Sequence, residues 1–276
     1  MADSLYGGVR TRRVTVRDLA AAKQRGERWP MITCYDAMTA RVFEDAGVPV
    51  LLVGDSAAMV VYGHTSTLPV TVDDLLPLTA AVVRGCRTPL VVADLPFGSY
   101  QASAEQALAT AARFVKEAGA HAVKLEGGRR VLPQVEALVA AGVPVMGHLG
   151  LTPQSVNVLG GYRVQGRGEA GAALLAEARE LQDAGAFALV LEVVPAELAA
   201  EVSAALEIPV IGIGAGVGCD AQVLVWQDLM GLSPEPGAKF VKRYFDLYGA
   251  MRDAVRQWGD EVAAGTYPDE ALHTYH

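Results

Sequence analysis

The chain is poor in cysteine. Cys34, Cys86 and Cys219 are its only thiols, dispersed and without a C-x-x-C pair. An odd, scattered set argues against a disulfide framework or a zinc knuckle, and fits reduced thiols in a cytoplasmic protein. A basic surplus is also missing: 23 Lys and Arg stand against 31 Asp and Glu, a formal net charge of -8. With nothing to neutralise a phosphate backbone, no nucleic-acid partner is expected. The one basic cluster, Arg10, Arg12 and Arg13, is short and reads as a solvated arm. Long apolar runs are absent too. The run from Val48 to Val53 is stopped by Asp55, far below membrane-spanning length. No basic region followed by an apolar run opens the chain, so neither a signal peptide nor a membrane partner is expected.

What the chain does have is apolar mass and rhythm. Hydrophobic residues make up 51% of its 276 positions, enough for a large core. Short apolar runs recur at Met31–Thr33, Val50–Val53, Leu90–Ala93, Ala122–Leu125, Val143–Gly147, Ala188–Leu191, Val210–Ile213 and Val223–Val225. They are continuous and do not alternate, the pattern of parallel strands covered on both faces. Ala/Leu-rich helical segments fill the gaps. The segment Ala104–Ala118 opens with a capping signal, Ser103 followed by Gln106, and closes at Gly119. Segments at Val131–Ala141 and Ala172–Ala184 end on glycine in the same way.

About eight such units predict a closed (β/α)8 barrel in one domain, 1–276. A doubly wound open sheet would normally carry a Gly-rich turn after its first strand, and "ITCYDA" has none. A flexible arm is expected over 1–14, then a short helix at Thr15–Gln24. Pro234, Pro236 and Gly237 interrupt the chain after the last unit, and Phe240–Val262 reads as an amphipathic helix for core or subunit packing. A loose tail is expected over 265–276.

In such a barrel the reactive groups follow the carboxyl ends of the strands. In order these are Tyr35 and Asp36, Asp55 and Ser56, Asp94, Lys124 and Glu126, His148, Glu192, and the turn Gly212–Gly216. Any one could be a loop or cap residue. Carboxylates after four strands would repel one another unless a cation or protons intervene. Asp55, Asp94 and Glu126 form a hard-oxygen set that favours Mg²⁺ over Zn²⁺. A 2-oxo acid can chelate such an ion, which eases enolate formation. Lys124 and Glu126 lie two apart on a strand and could instead pair with each other. His148 and Tyr35 could serve structure alone. Gly212–Gly216 reads as a tight turn that admits substrate or a folate, with no phosphate needed.

Several blocks then resemble one family. "VGDSAAMVVYGHTSTLPVT" (Val53–Thr71), "ADLPFGSY" (Ala93–Tyr100), "VKLEGG" (Val123–Gly128), "GHLGLTPQSVNVLGGYRVQGR" (Gly147–Arg167), "LVLEVVPAELA" (Leu189–Ala199) and "IPVIGIGAG" (Ile208–Gly216) are similar, in order, to the ketopantoate hydroxymethyltransferases. The resemblance implies one Mg²⁺ per subunit, ligated by Asp55 and Asp94, with Glu126 completing the site directly or through water. It places Asp55, Ser56, Asp94 and Lys124 around the substrate and makes Glu192 the general base. It implies transfer of a hydroxymethyl group from 5,10-methylenetetrahydrofolate to 3-methyl-2-oxobutanoate, giving 2-dehydropantoate on the route to pantothenate and coenzyme A. A homo-oligomeric ring, a decamer among its sizes, is also implied. The chain departs from the family pattern at Ala57–Ala58, Thr65 and Ala221, none of them a proposed catalytic residue.

Two rivals remain. Enzymes of the isocitrate lyase and phosphoenolpyruvate mutase type share barrel, metal and enolate chemistry, but usually carry a "K-K-C-G-H" loop that is absent here. A non-catalytic regulatory barrel would not need Glu192 together with the carboxylate set.

Overall fold

The computed structural model describes residues 4–8 and 11–275. Helix α1 (Val16–Gln24) precedes β1 (Trp29–Thr33), α2 (Ala37–Asp45), β2 (Val50–Val53), α3 (Ala57–Val60), α4 (Val72–Gly85) and β3 (Leu90–Asp94). Next come α5 (Ala104–Lys116), β4 (Ala122–Lys124), α6 (Leu132–Ala140), β5 (Val145–Gly150), α7 (Val156–Leu159) and α8 (Glu169–Asp183). Strand β6 (Ala188–Glu192), α9 (Ala196–Ala205), β7 (Val210–Ile213) and β8 (Ala221–Leu224) complete the series. Every neighbouring pair is parallel, and β8 returns to β1 with Ala221 opposite Trp29. The expected (β/α)8 barrel is what forms.

Alternate residues of each strand point inward, because successive strand side chains face opposite ways. Met31, Val50, Leu52, Val92, Ala122, Met146, Val190, Ile211 and Val223 belong to one buried cluster. The same parity carries on past these apolar residues. Two or four positions further along lie Asp94, Lys124, Glu126, His148 and Glu192, so the strands themselves direct these polar groups toward one mouth.

The opposite end of the barrel is closed by apolar side chains. Leu5, Val14, Leu19, Ala22 and Trp29 join the central cluster. Val14 N–H donates to the Thr88 carbonyl at 2.7 Å, and the Arg13 guanidinium to the Pro89 carbonyl at 2.7 Å. Within the described part of the expected arm, 4–8 and 11–14, Leu5 and Val14 are buried, whereas Tyr6, Gly7, Thr11 and Arg12 are exposed. Arg10 lies outside the described residues.

The helix starts follow their capping chemistry. Ser103 Oγ accepts from Gln106 N–H at 3.1 Å, as its spacing predicts. The Gln106 side chain turns instead to Ala102 N–H at 3.0 Å, so the box is not fully reciprocal. Strand β5 runs later than expected, to Gly150 rather than Gly147, because its ladder with β6 extends to the Gly150–Glu192 pair.

By its contacts the chain divides after Val225. The second unit holds α10 (Trp226–Leu229), α11 (Leu247–Ala263) and α12 (Glu270–His273). Helix α11 starts seven residues later than the expected Phe240, where the Asp246 carboxylate accepts from Gly249 N–H at 3.0 Å. The expected loose tail contains α12, capped by Asp269. No described helix is long and apolar enough to cross a membrane.

Candidate active site

The mouth is assembled from the ends of β1 to β6. Asp55 N–H donates to Asp94 Oδ2 at 3.1 Å, which sets the loop after β2 directly on the end of β3. Lys124 Nζ pairs with Asp94 Oδ1 at 2.6 Å, and both side chains are buried. The alternative pairing of Lys124 with Glu126 is not the one formed. Glu126 Oε1 faces His148 Nδ1 at 3.4 Å, and His148 Nε2 faces Glu192 Oε2 at 3.4 Å. The imidazole thus bridges two carboxylates. Both contacts lie off the N–H directions, so neither ring nitrogen makes a well-aligned hydrogen bond.

The electrostatics follow from four carboxylates meeting two cations in a largely buried mouth. Burial, then Asp94 and Glu126, hold the Asp55 carboxyl well above the usual carboxylate range. Burial opposes the Lys124 charge, but Asp94, Glu126 and Asp55 outweigh it and raise its pKa. Burial and Lys124 likewise disfavour a charged His148, yet Glu126 and Glu192 push it up to about 9. Burial opposes ionisation of Glu126, and His148 reverses that, so its pKa is lowered.

Ser56 sits at the start of α3, and its Oγ is 2.8 Å from the Tyr35 hydroxyl. Tyr35 therefore orients the serine. Asp36, by contrast, is not part of the mouth: its Oδ1 accepts from Met38 and Thr39 N–H, each at 2.8 Å, as the cap of α2. In the turn after β7, Gly216 adopts φ +80, and a Cβ there would meet Ala196 Cβ at 2.5 Å. Close packing against α9 is thus sufficient reason for glycine at that position.

Two residues without an assigned role prove central. Gln154 Nε2 donates to Asp55 Oδ2 at 2.9 Å and to the Leu95 carbonyl at 3.0 Å. Gln154 N–H donates to Glu126 Oε2 at 3.0 Å. The Tyr100 hydroxyl is 2.7 Å from Gln154 Oε1 and accepts from Glu126 N–H at 3.0 Å. Gln154 thereby links two of the expected metal ligands.

Backbone strain marks the end of β6. Val193 has φ 48, a left-handed conformation that costs a β-branched residue energy. Its N–H donates to the Ile213 carbonyl at 2.8 Å and its carbonyl accepts from Gln165 N–H at 3.0 Å. Beside it, Leu151 N–H donates to the Glu192 carbonyl at 2.8 Å. Gly150, at φ +91, leaves room for that carbonyl, which a Cβ would overlap. The backbone carrying Glu192 is therefore fixed on both sides.

Among the described residues, no three His, Cys, Asp or Glu side chains are gathered tightly enough to enclose an ion by themselves. Asp55 and Asp94 are adjacent, while Glu126 is drawn toward His148 and Gln154. Such an oxygen set suits Mg²⁺, which commonly takes one or two carboxylates and fills its remaining positions with water and substrate oxygens. Glu126 then fits the water-mediated place.

The sequence profile of the ketopantoate hydroxymethyltransferases matches residues 13–270. A 3-methyl-2-oxobutanoate hydroxymethyltransferase of Thermobifida fusca is 67% identical over 275 residues, covering 99% of this chain and 98% of that protein. One from Frankia alni is 65% identical over 280 residues, covering 99% and 92%. A crystal structure of phosphonopyruvate hydrolase with oxalate and Mg²⁺ superposes with a TM-score of 0.61 at 13% identity, over 94% of this chain and 91% of that one. The last is a likeness of fold.

Proposed function

The chain belongs to the ketopantoate hydroxymethyltransferase family, and from that premise we propose a site-by-site account of its reaction. It is a one-carbon transferase whose acceptor is 3-methyl-2-oxobutanoate and whose product is 2-dehydropantoate, the first step toward pantothenate. The donor is 5,10-methylenetetrahydrofolate. Overall, the C3–H bond of the acceptor and both C–N bonds of the donor methylene break. One C–C and one C–O bond form. Water supplies the oxygen, and the two nitrogens leave as N–H.

Asp55 and Asp94 hold one Mg²⁺, with Glu126 acting through water. The observation that carries this reading is the buried Asp94 carboxylate, paired with Lys124 and accepting from the backbone N–H of the buried Asp55, at one strand-end mouth. When bound, the cation supplies Lewis acidity at a chelated keto oxygen. Ser56, oriented by Tyr35, receives the substrate carboxylate. Lys124 places its charge beside the substrate oxygens. Glu192 takes the C3 proton, and His148, 3.4 Å away, offsets the charge on that carboxylate. General-base catalysis contributes on the order of 10²–10⁴-fold.

The dispersed buried thiols support a reducing, cytoplasmic setting. The exposed apolar face of α11 supports assembly into a homo-oligomer.

The test is exchange of the C3 proton of 3-methyl-2-oxobutanoate in D₂O, followed by NMR with and without Mg²⁺, and then addition of the donor. Metal-dependent exchange and formation of 2-dehydropantoate are expected. Glu192→Gln should lower the exchange rate at saturating substrate by about 10² or more. Near wild-type exchange in that variant would remove Glu192 from the role. Exchange without product in the wild type would favour a carbon–carbon lyase.

A further inference from the structure

The mouth is least sheltered at its base. The side chains of Asp94, Glu126 and His148 are each 3% exposed, whereas that of Glu192 is 16% exposed. Water at Glu192 has a chemical cost. A proton taken from C3 escapes to solvent there, and the enolate is quenched by a solvent proton before it can attack. Enzymes prevent such leakage by covering the site.

A cover stands beside the opening, in a stretch of signature sequence that the chemistry above leaves unused. Between α7 and α8, Tyr162 is 54% exposed, and Val164 next to it is exposed as well. The phenol nonetheless faces the reacting groups. Burial, then the charges of Glu192, Asp55 and Glu126, raise its pKa. The stretch is anchored to the strand that carries the base, because Gln165 N–H donates to the Val193 carbonyl at 3.0 Å. The Gln165 side chain also donates to the Arg163 carbonyl at 2.9 Å. At the other end stand Gly160 at φ +68 and Gly161 at φ +109. A Cβ at either would meet nothing within 4 Å, so packing is not the reason for glycine there. Backbone freedom is, and residues that absorb a φ/ψ change make hinges.

We propose that Tyr162 is a positioning residue for the base. With the oxo acid in place, the short flap turns about Gly160 and Gly161 and lays the Tyr162 ring over Glu192 and C3, keeping water out while the enolate exists. The proposal rests on the hydroxymethyl-transfer reading. The fixed end at Gln165 keeps the flap in register with the strand end it covers.

Partition of the enolate tests this. The substrate is 3-methyl-2-oxobutanoate deuterated at C3, in H₂O with Mg²⁺ and donor. Glu192 takes the deuteron and the bonding pair passes into the enolate. The enolate then either picks up a solvent proton, giving exchanged oxo acid, or forms the C–C bond. NMR gives the ratio of exchanged oxo acid to 2-dehydropantoate. Tyr162→Ala should raise that ratio roughly tenfold or more over wild type. A partly unfolded variant lowers both products alike and leaves the ratio unmoved. Tyr162→Phe keeps the ring and should restore a ratio near wild type. Arg163 is exposed on the flap, so trypsin should cut the wild-type chain after it several-fold more slowly once Mg²⁺ and oxo acid are both present. An unchanged ratio in Tyr162→Ala, with exchange and transfer both intact, would overturn the role of Tyr162 alone. So would a Tyr162→Phe that behaves like Tyr162→Ala, which would make the hydroxyl the acting group, or cleavage after Arg163 that ignores the ligands. A lower solution mass in Tyr162→Ala with the ratio unchanged would make the ring a subunit contact. Wild-type protein with neither exchange nor transfer would instead defeat the underlying reaction.

Discussion

Gln154 uses its whole hydrogen-bonding capacity at the mouth. Both amide hydrogens are taken, one by Asp55 and one by the Leu95 carbonyl, while its oxygen faces the Tyr100 hydroxyl. Flipping the amide would set oxygen against two acceptors, so the network fixes its orientation. Partners of this kind orient metal ligands, and their loss typically weakens metal binding by about 10–100-fold. Gln154→Met should lower Mn²⁺ affinity by that order, read by electron paramagnetic resonance of free Mn²⁺, and excess metal should restore activity. A folded variant with wild-type Mn²⁺ affinity would show that Gln154 only fills space. The sequence announces Asp94, Lys124, Glu126, His148 and Glu192, because each stands at the end of an apolar run with inward parity. It does not announce Gln154. Its contacts reach back 28 residues to Glu126 and 99 to Asp55, and only barrel closure makes them neighbours.

The elements were readable where burial alone decides them. Strands β2 and β7 keep their expected limits, since both are apolar runs bounded by polar or turn residues. Edges moved where pairing decides. Strand β8 occupies Ala221–Leu224 rather than 223–225, because its register with β1 begins at Ala221. Helix α11 carries a different kind of information. Tyr248, Met251, Val255, Trp258 and Val262 alternate spacings of three and four and are all exposed. That is the seam of a helix that packs against another surface. A second copy of the chain is the cover we expect. Light scattering should then give a mass that is a multiple of 29.0 kDa. Replacing Val255 with Glu should shift the mass downward, because a charge buried at such a seam is costly. A wild-type protein that stays monomeric at micromolar concentration would leave the stripe without that purpose.

At the scale of the whole molecule, the barrel's resistance to acid depends on its base as well as its mouth. His121 Nδ1 accepts from Val91 N–H at 3.1 Å, and the His121 backbone N–H donates to the Val91 carbonyl at 3.0 Å. Burial, then Arg13, depress its pKa to about 4 from an ordinary 6.5. Above pH 6.5 the ring is neutral in both folded and unfolded chains, and its contribution to stability is complete. As pH falls from 6.5 toward 4, the unfolded chain takes up a proton that the folded chain refuses, so stability is lost across that window. The side chain is partly solvated, so the loss is on the order of 1 kcal/mol rather than the full value of the shift. Asp18 and Asp74 have lowered pKa values from hydrogen bonds led by Arg12 and Thr71, respectively, and add their losses only at lower pH. His121→Asn retains an acceptor for Val91 but does not titrate. Its melting temperature should therefore fall less than that of the wild type between pH 6.5 and 4.5, with buffer and Mg²⁺ held constant. Parallel melting curves across that interval would mean that His121 is protonated equally easily in both states, and that the acid sensitivity of the barrel originates elsewhere.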